Sequence, residues 1–131
     1  MWNTGCNVVY NRTKRLLSII DGEDPSRTLL VEPNNEASFK GTIVPWADKD
    51  DEVTRKAFRV TYYSSSQGRF LGWFYQYQDY RTDRVCWVDW RSAQPYTDGK
   101  STAAAESASY IDVVIDTNEE GDPVVEIVKV T

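Results

Sequence analysis

The chain has 131 residues and a mass of 15.0 kDa, room for one domain and little else. Zero histidines and two cysteines exclude Ser-His and Cys-His dyads, His-ligated metal centres, four-thiolate zinc and a disulfide-rich scaffold. The net charge of −5 argues against a dedicated binder of double-stranded nucleic acid, whose affinity comes mostly from phosphate neutralisation.

The elements are short strands between frequent turns. Asn7–Tyr10 and Leu16–Ile20 are apolar runs separated by the polar stretch Asn11–Arg15. Asp21-Gly22 and Asp24-Pro25 make a turn, Thr28–Glu32 resumes an extended run, and Pro33-Asn34-Asn35 stops it. Phe39–Val44 reads as a strand ending at Pro45, which cannot donate to a central ladder. Asp48 precedes a helical signal over Asp50–Lys56. It is placed to cap the first amides, early acids suit the positive end of the dipole, and Glu52 and Lys56 form an i,i+4 pair. The acids at 48–52 also begin like a calcium loop, but the sixth place is Val53 and the twelfth Arg59, where that loop needs Gly and Glu, so capping is favoured.

Ala57–Tyr63 alternates as a strand, and Ser64–Gly68 is a loop. Arg69–Gln78 and Arg84–Trp90 read as a hairpin around Asp79–Asp83. Alternation places Leu71, Trp73, Tyr75 and Tyr77 on one face, and Phe70, Gly72, Phe74, Gln76 and Gln78 on the other. On the partner strand Val85, Trp87 and Asp89 oppose Cys86, Val88 and Trp90, so both faces carry large aromatics, more than a single core hides comfortably. Arg91–Ser109 is a long polar stretch, read as a surface loop or as a short helix near Thr102–Ser107. Ile111–Asp116 and Val124–Val130 close the chain as a hairpin. The whole, residues 1–131, is expected to be one all-β domain: an antiparallel β-sandwich or flattened barrel of about seven to nine strands, with one short helix near 50–56.

Little catalytic machinery is visible. Asp79, Asp83 and Asp89 surround one hairpin, but Arg81, Arg84 and Arg91 beside them make charge pairing the better account than a glycosidase carboxylate pair. Phosphate loops of the GxGxxG and GxxxxGK kinds are absent, so no cofactor is expected and the protein reads as a non-enzyme. Cys86, between Val85 and Trp87, reads as a buried inert thiol, and its pairing with Cys6 is left open. Asn11-Arg12-Thr13 fits a glycosylation sequon. No signal layout is visible at the N-terminus and no apolar run is long enough for a transmembrane segment, which points to a cytoplasmic protein or one released without a classical signal.

The informative feature is aromatic excess. Eleven aromatics from Tyr62 to Tyr96 fall within 35 residues. Trp and Tyr offer an apolar face and a polar tip, suited to the C–H face of a sugar or to a bilayer interface. The leading expectation is a lectin-like recognition module for glycans or membrane-surface headgroups. Trp73, Tyr75, Tyr77, Trp87 and Trp90 are the stacking candidates, with Gln76, Gln78 and Asp89 for hydroxyls and Arg84 and Arg91 for anionic groups. Because only one face is free, about half of these are expected to be core. The alternative is a protein-interaction, inhibitor or structural protein that uses the same surface, a homodimer through Arg69–Trp90 included. The profile (small, acidic, rich in Trp and Tyr, without His) resembles that of small β-sandwich lectins and membrane-binding proteins of the aegerolysin type. The likeness is one of composition and places no site residue.

Overall fold

Each apolar run bounded by turn residues becomes a strand. The computed structural model describes residues 4–79, 82–101 and 109–130. Its strands are β1 (Gly5–Asn11), β2 (Leu17–Asp21), β3 (Thr28–Val31), β4 (Glu36–Ile43), β5 (Phe58–Ser64), β6 (Gln67–Asp79), β7 (Thr82–Asp89), β8 (Lys100–Ser101), β9 (Tyr110–Thr117) and β10 (Pro123–Val130). They form a sandwich: a four-stranded sheet in the order β10-β9-β1-β4 faces a five-stranded sheet, β3-β2-β5-β6-β7, which the two-residue β8 extends at one edge. Neither sheet closes into a barrel. Among the described residues nine strands have four residues or more, within the expected range.

The core lies between the sheets. Val9, Phe39, Ile111, Val113, Ile115 and Ile127 of the four-stranded sheet meet Leu17, Ile19, Val31, Phe58, Val60 and Phe74 of the other. Phe58 spans the gap, stacked on Phe39 and tilted against Phe74, each at 4.8 Å between centroids. The described chain exposes 7321 Å², close to the roughly 7,000 Å² that surface scaling gives for its mass.

Three features depart from the sequence reading. The sheets are not wholly antiparallel: β9 lies between β1 and β10, parallel to β1 and antiparallel to β10. A second helix, α2 (Pro95–Asp98), follows the expected α1 (Asp50–Lys56); Pro95 at its first turn costs no hydrogen bond there. The loop or helix expected near Thr102–Ser107 lies outside the described residues. Asp48 does not cap α1. The helix starts two residues later, at Asp50 with Lys49 as N-cap, and the backbone N–H of Asp48 instead donates to Glu52 Oε1 at 3.2 Å.

The hairpin β6–β7 is buried on both faces, and a bulge sorts its side chains. Phe70 pairs with Thr61 and Gly72 with Val60, so Leu71 is the extra residue on β6. One inserted residue reverses the alternation before it. Leu71 therefore joins the sandwich core with Phe74, while Phe70 moves to the face of Trp73, which it meets edge-on at 4.7 Å. That second face carries Trp73, Tyr75, Cys86 and Val88 and is roofed by Ala47, Val53 and Ala57 from α1 and its flanks. Cys6 sits in the first core and Cys86 in the second, both buried and unbonded, which closes the question of a disulfide. Burial pushes the Cys86 thiol up to about 12 and that of Cys6 further in the same direction, so neither ionises readily.

Two substitutions test this packing. A Cβ at Gly72 (φ +154°) would collide with the Val88 carbonyl and sit 2.7 Å from the Trp87 ring. Gly72→Ala is expected to cost about 1–3 kcal/mol or more in chemical denaturation; an unchanged midpoint would remove the bulge from this account. Trp73 is 7 % exposed and its indole N–H has no partner among the described residues. Trp73→Phe removes that orphan donor while keeping a ring, so its cost should stay within about 1 kcal/mol, against about 3–5 kcal/mol for Trp73→Ala.

Candidate functional site

The structure divides the sequence-predicted residues among several places. Trp73 and Tyr75 lie inside the second core and offer no face to a ligand. Gln76 is wholly buried on the sandwich side and binds backbone. Its Nε2 donates to the carbonyls of Val44 at 2.6 Å and Thr4 at 3.1 Å, and its Oε1 accepts from the Thr4 N–H at 3.2 Å. It is a clip between β6 and the other sheet, with no capacity left for a sugar hydroxyl. Gln78 has its backbone in β6, but its side chain lies outside the described residues. Arg84 and Trp87 are half-buried, and Trp90 is 44 % exposed.

Trp87, Asp89 and Arg91 do come together, in a groove of about 460 Å³ with Ser92, Asp98 and Lys100. There the charges bind one another. Arg91 makes two 2.9 Å bonds to the Asp89 carboxylate, and Asp122 of the β9–β10 turn forms ion pairs with Arg91 at 3.6 Å and Arg69 at 3.5 Å. The Arg91 guanidinium holds the Asp89 carboxyl below the usual carboxylate range. This network ties one sheet to the other, and of the charge pairings expected around the hairpin it contains Asp89–Arg91.

Among the described residues, Tyr77 of the predicted platforms reaches an open cleft with further aromatics. The cleft, about 350 Å³, is lined by Trp46, Tyr77 and Tyr96 together with Glu23, Asp48, Glu52 and Lys56. Each wall has a local cause. Trp46 follows Pro45, and the segment is held parallel to β6 by Gln76 N–H to the Pro45 carbonyl at 2.9 Å and Ala47 N–H to the Gln76 carbonyl at 3.1 Å. That places Trp46 beside Tyr77. Tyr96 rides on α2, which the buried Tyr75 hydroxyl anchors by donating to the Tyr96 carbonyl at 2.8 Å, while the Tyr96 N–H donates to Asp50 Oδ1 at 3.0 Å. Burial raises the Tyr75 hydroxyl above its ordinary range, so it stays a donor. The Tyr96 ring meets Tyr77 edge-to-face at 5.7 Å.

The polar wall comes from α1 and the β2–β3 turn. Lys56 and Glu52 pair at 2.7 Å, the i,i+4 contact expected from sequence. Glu23 faces them because the turn docks on the end of α1: Gly22 N–H donates to the Ala57 carbonyl at 3.1 Å, and a Cβ there would lie 2.6 Å from the Arg55 carbonyl oxygen. The acids around 48–52 form no metal cluster; among the described residues no group of three or more His, Cys, Asp or Glu is placed to hold an ion.

The sequon is occupied structurally. Asn11 is 1 % exposed, its Nδ2 donates to the carbonyls of Arg15, Val31 and Glu32, and its Oδ1 accepts from Thr13. The folded chain does not present it for modification.

Comparisons with protein-family models, with curated proteins and with solved structures find no match for this chain. The site is therefore read from its own geometry.

The Gln76 clip supports a direct test. Gln76→Leu keeps the volume but removes the three side-chain hydrogen bonds of the clip at once, each worth about 0.5–1.5 kcal/mol net, so a loss of about 2 kcal/mol or more is expected in urea unfolding. Gln76→Glu adds a pH signature. A carboxyl buried there has its pKa raised, so its stability should fall as pH rises above about 4; a flat profile would show that water reaches the site.

Proposed function

We propose that the protein is a non-enzymatic recognition module, with a glycan or a membrane-lipid headgroup as ligand, and that the Trp46–Tyr77–Tyr96 cleft is its binding site. The observation that carries this reading is the convergence of three aromatic side chains and a carboxylate-rich wall on one cleft, where most other hairpin aromatics are consumed by the two cores. A volume of about 350 Å³ lies at the small end of ligand sites, matching one sugar ring or one headgroup. Tyr77 keeps its role as a platform, joined by Trp46 in place of Trp73 and Tyr75. Among the described residues no helix is long and apolar enough to cross a membrane, so a lipid would be met at its headgroup.

A second reading, attachment to a protein partner, draws on a different surface. Ile43 and Tyr110, 44 % and 49 % exposed, flank Gly5 on the four-stranded sheet. The homodimer surface considered on the hairpin retains the exposed Trp90.

A glycan array and a vesicle-sedimentation assay with the same labelled protein test the proposal. Saturable binding is expected, weakened about tenfold or more by Trp46→Ala and kept by Trp90→Ala, with both variants melting near the parent. Absence of binding to either surface at micromolar protein would sink the recognition reading and favour the partner surface.

A further inference from the structure

The charge of the cleft narrows its ligand beyond that reading. Three carboxylates, Glu23, Asp48 and Glu52, line it against one ammonium, Lys56. Lys56 is already taken, 2.7 Å from Glu52. The side chains of Glu23 and Asp48 make no hydrogen bond or ion pair among the described residues, and both residues are exposed. Among the described residues, the open side of the cleft therefore holds two carboxylates with no paired cation, facing Trp46, Tyr77 and Tyr96.

We propose that the group this cleft takes is an organic ammonium, a trimethylammonium headgroup of the choline type. The inference rests on the cleft being the binding site. Aromatic faces carry negative quadrupole and attract a cation placed over them, and nearby carboxylates add to that field. The methyl groups of a quaternary ammonium bury against the rings with little desolvation cost, whereas a primary ammonium keeps its hydration shell. An anionic headgroup is repelled by the uncompensated pair. A neutral sugar finds acceptors there, but few donors for its own hydroxyl oxygens.

Calorimetric titration with choline, with its neutral tert-butyl analogue and with methyl glucoside separates the cases. Choline is expected to bind saturably, the neutral analogue about tenfold more weakly or worse, and added salt to weaken choline. The double variant Glu23→Gln, Asp48→Asn should lose about tenfold in choline affinity and most of the salt dependence. It should keep its melting temperature, since both residues are exposed. Vesicles of phosphatidylcholine set against phosphatidylglycerol then tell a membrane source of the headgroup from a free one: selective sedimentation with the former supports the lipid source, and choline binding without sedimentation supports a soluble ligand. Equal affinity for choline and its neutral analogue overturns the ammonium assignment. Methyl glucoside binding without choline binding overturns it while leaving the glycan reading standing. Failure of choline, glycans and vesicles alike overturns both.

Discussion

The buried amide of Gln76 is the constraint on which most of the structure depends. It sits between the sheets with no access to water, and each of its hydrogen bonds goes to backbone of the other layer. A polar group so placed is costly unless satisfied, and once satisfied it admits few alternative arrangements of the chains around it. The consequence is positional. The start of β1, the end of β4 and the middle of β6 are fixed to one another, and the Pro45–Ala47 segment is carried alongside β6. The aromatic cleft is built on that segment, so its geometry follows from an interaction on the opposite face of the sheet.

The second organising feature is a hairpin with apolar side chains on both faces. A sandwich hides one face of each sheet; the other normally meets water. Here two short helices supply the missing cover, and they do so over a limited length of β6 and β7. Trp73 and Tyr75 fall under the roof. Tyr77, two residues further along the same face, falls at its margin. Where the roof ends, a covered aromatic stripe becomes an open cleft, and the polar side chains of the covering helix become its wall.

Much of the fold was legible in the sequence. Turn chemistry at Gly22, Pro25, Pro33 and Gly121 punctuates apolar runs of strand length, and the first-turn acids with the Glu52–Lys56 pair mark α1 at its observed bounds. The site was less legible. Alternation assigns faces correctly only until a bulge intervenes, and nothing near Leu71 except the neighbouring Gly72 signals one. Glutamine beside tyrosines reads as a surface hydroxyl binder, and the carbonyls that Gln76 binds lie 72 and 32 residues away. Trp46 stands outside the aromatic-dense stretch, and the acids of α1 already had a sufficient local explanation. Residues 23, 46, 52, 77 and 96 share no spacing pattern; the pairing of Pro45–Ala47 with β6 and the docking of α1, α2 and the β2–β3 turn assemble them.

The parallel contact between β1 and β9 also governs how the chain can acquire its structure. The five strands of the larger sheet all lie between Leu17 and Asp89, with β4 and α1 between β3 and β5, and pair antiparallel throughout, so they can pair before β9 and β10 are made. The smaller sheet draws on both ends: Val8 N–H donates to Asp112 across 104 residues of chain, and β1 has no partner on that side until Tyr110–Thr117 has been made. Closing so long a loop is slow, because its entropy is lost before any contact repays it. β1, which precedes the other strands of this domain, is among the last to be fully paired, and during that interval the apolar face of the larger sheet is incompletely covered, the period in which a nascent chain of this topology is most exposed to aggregation and to chaperones.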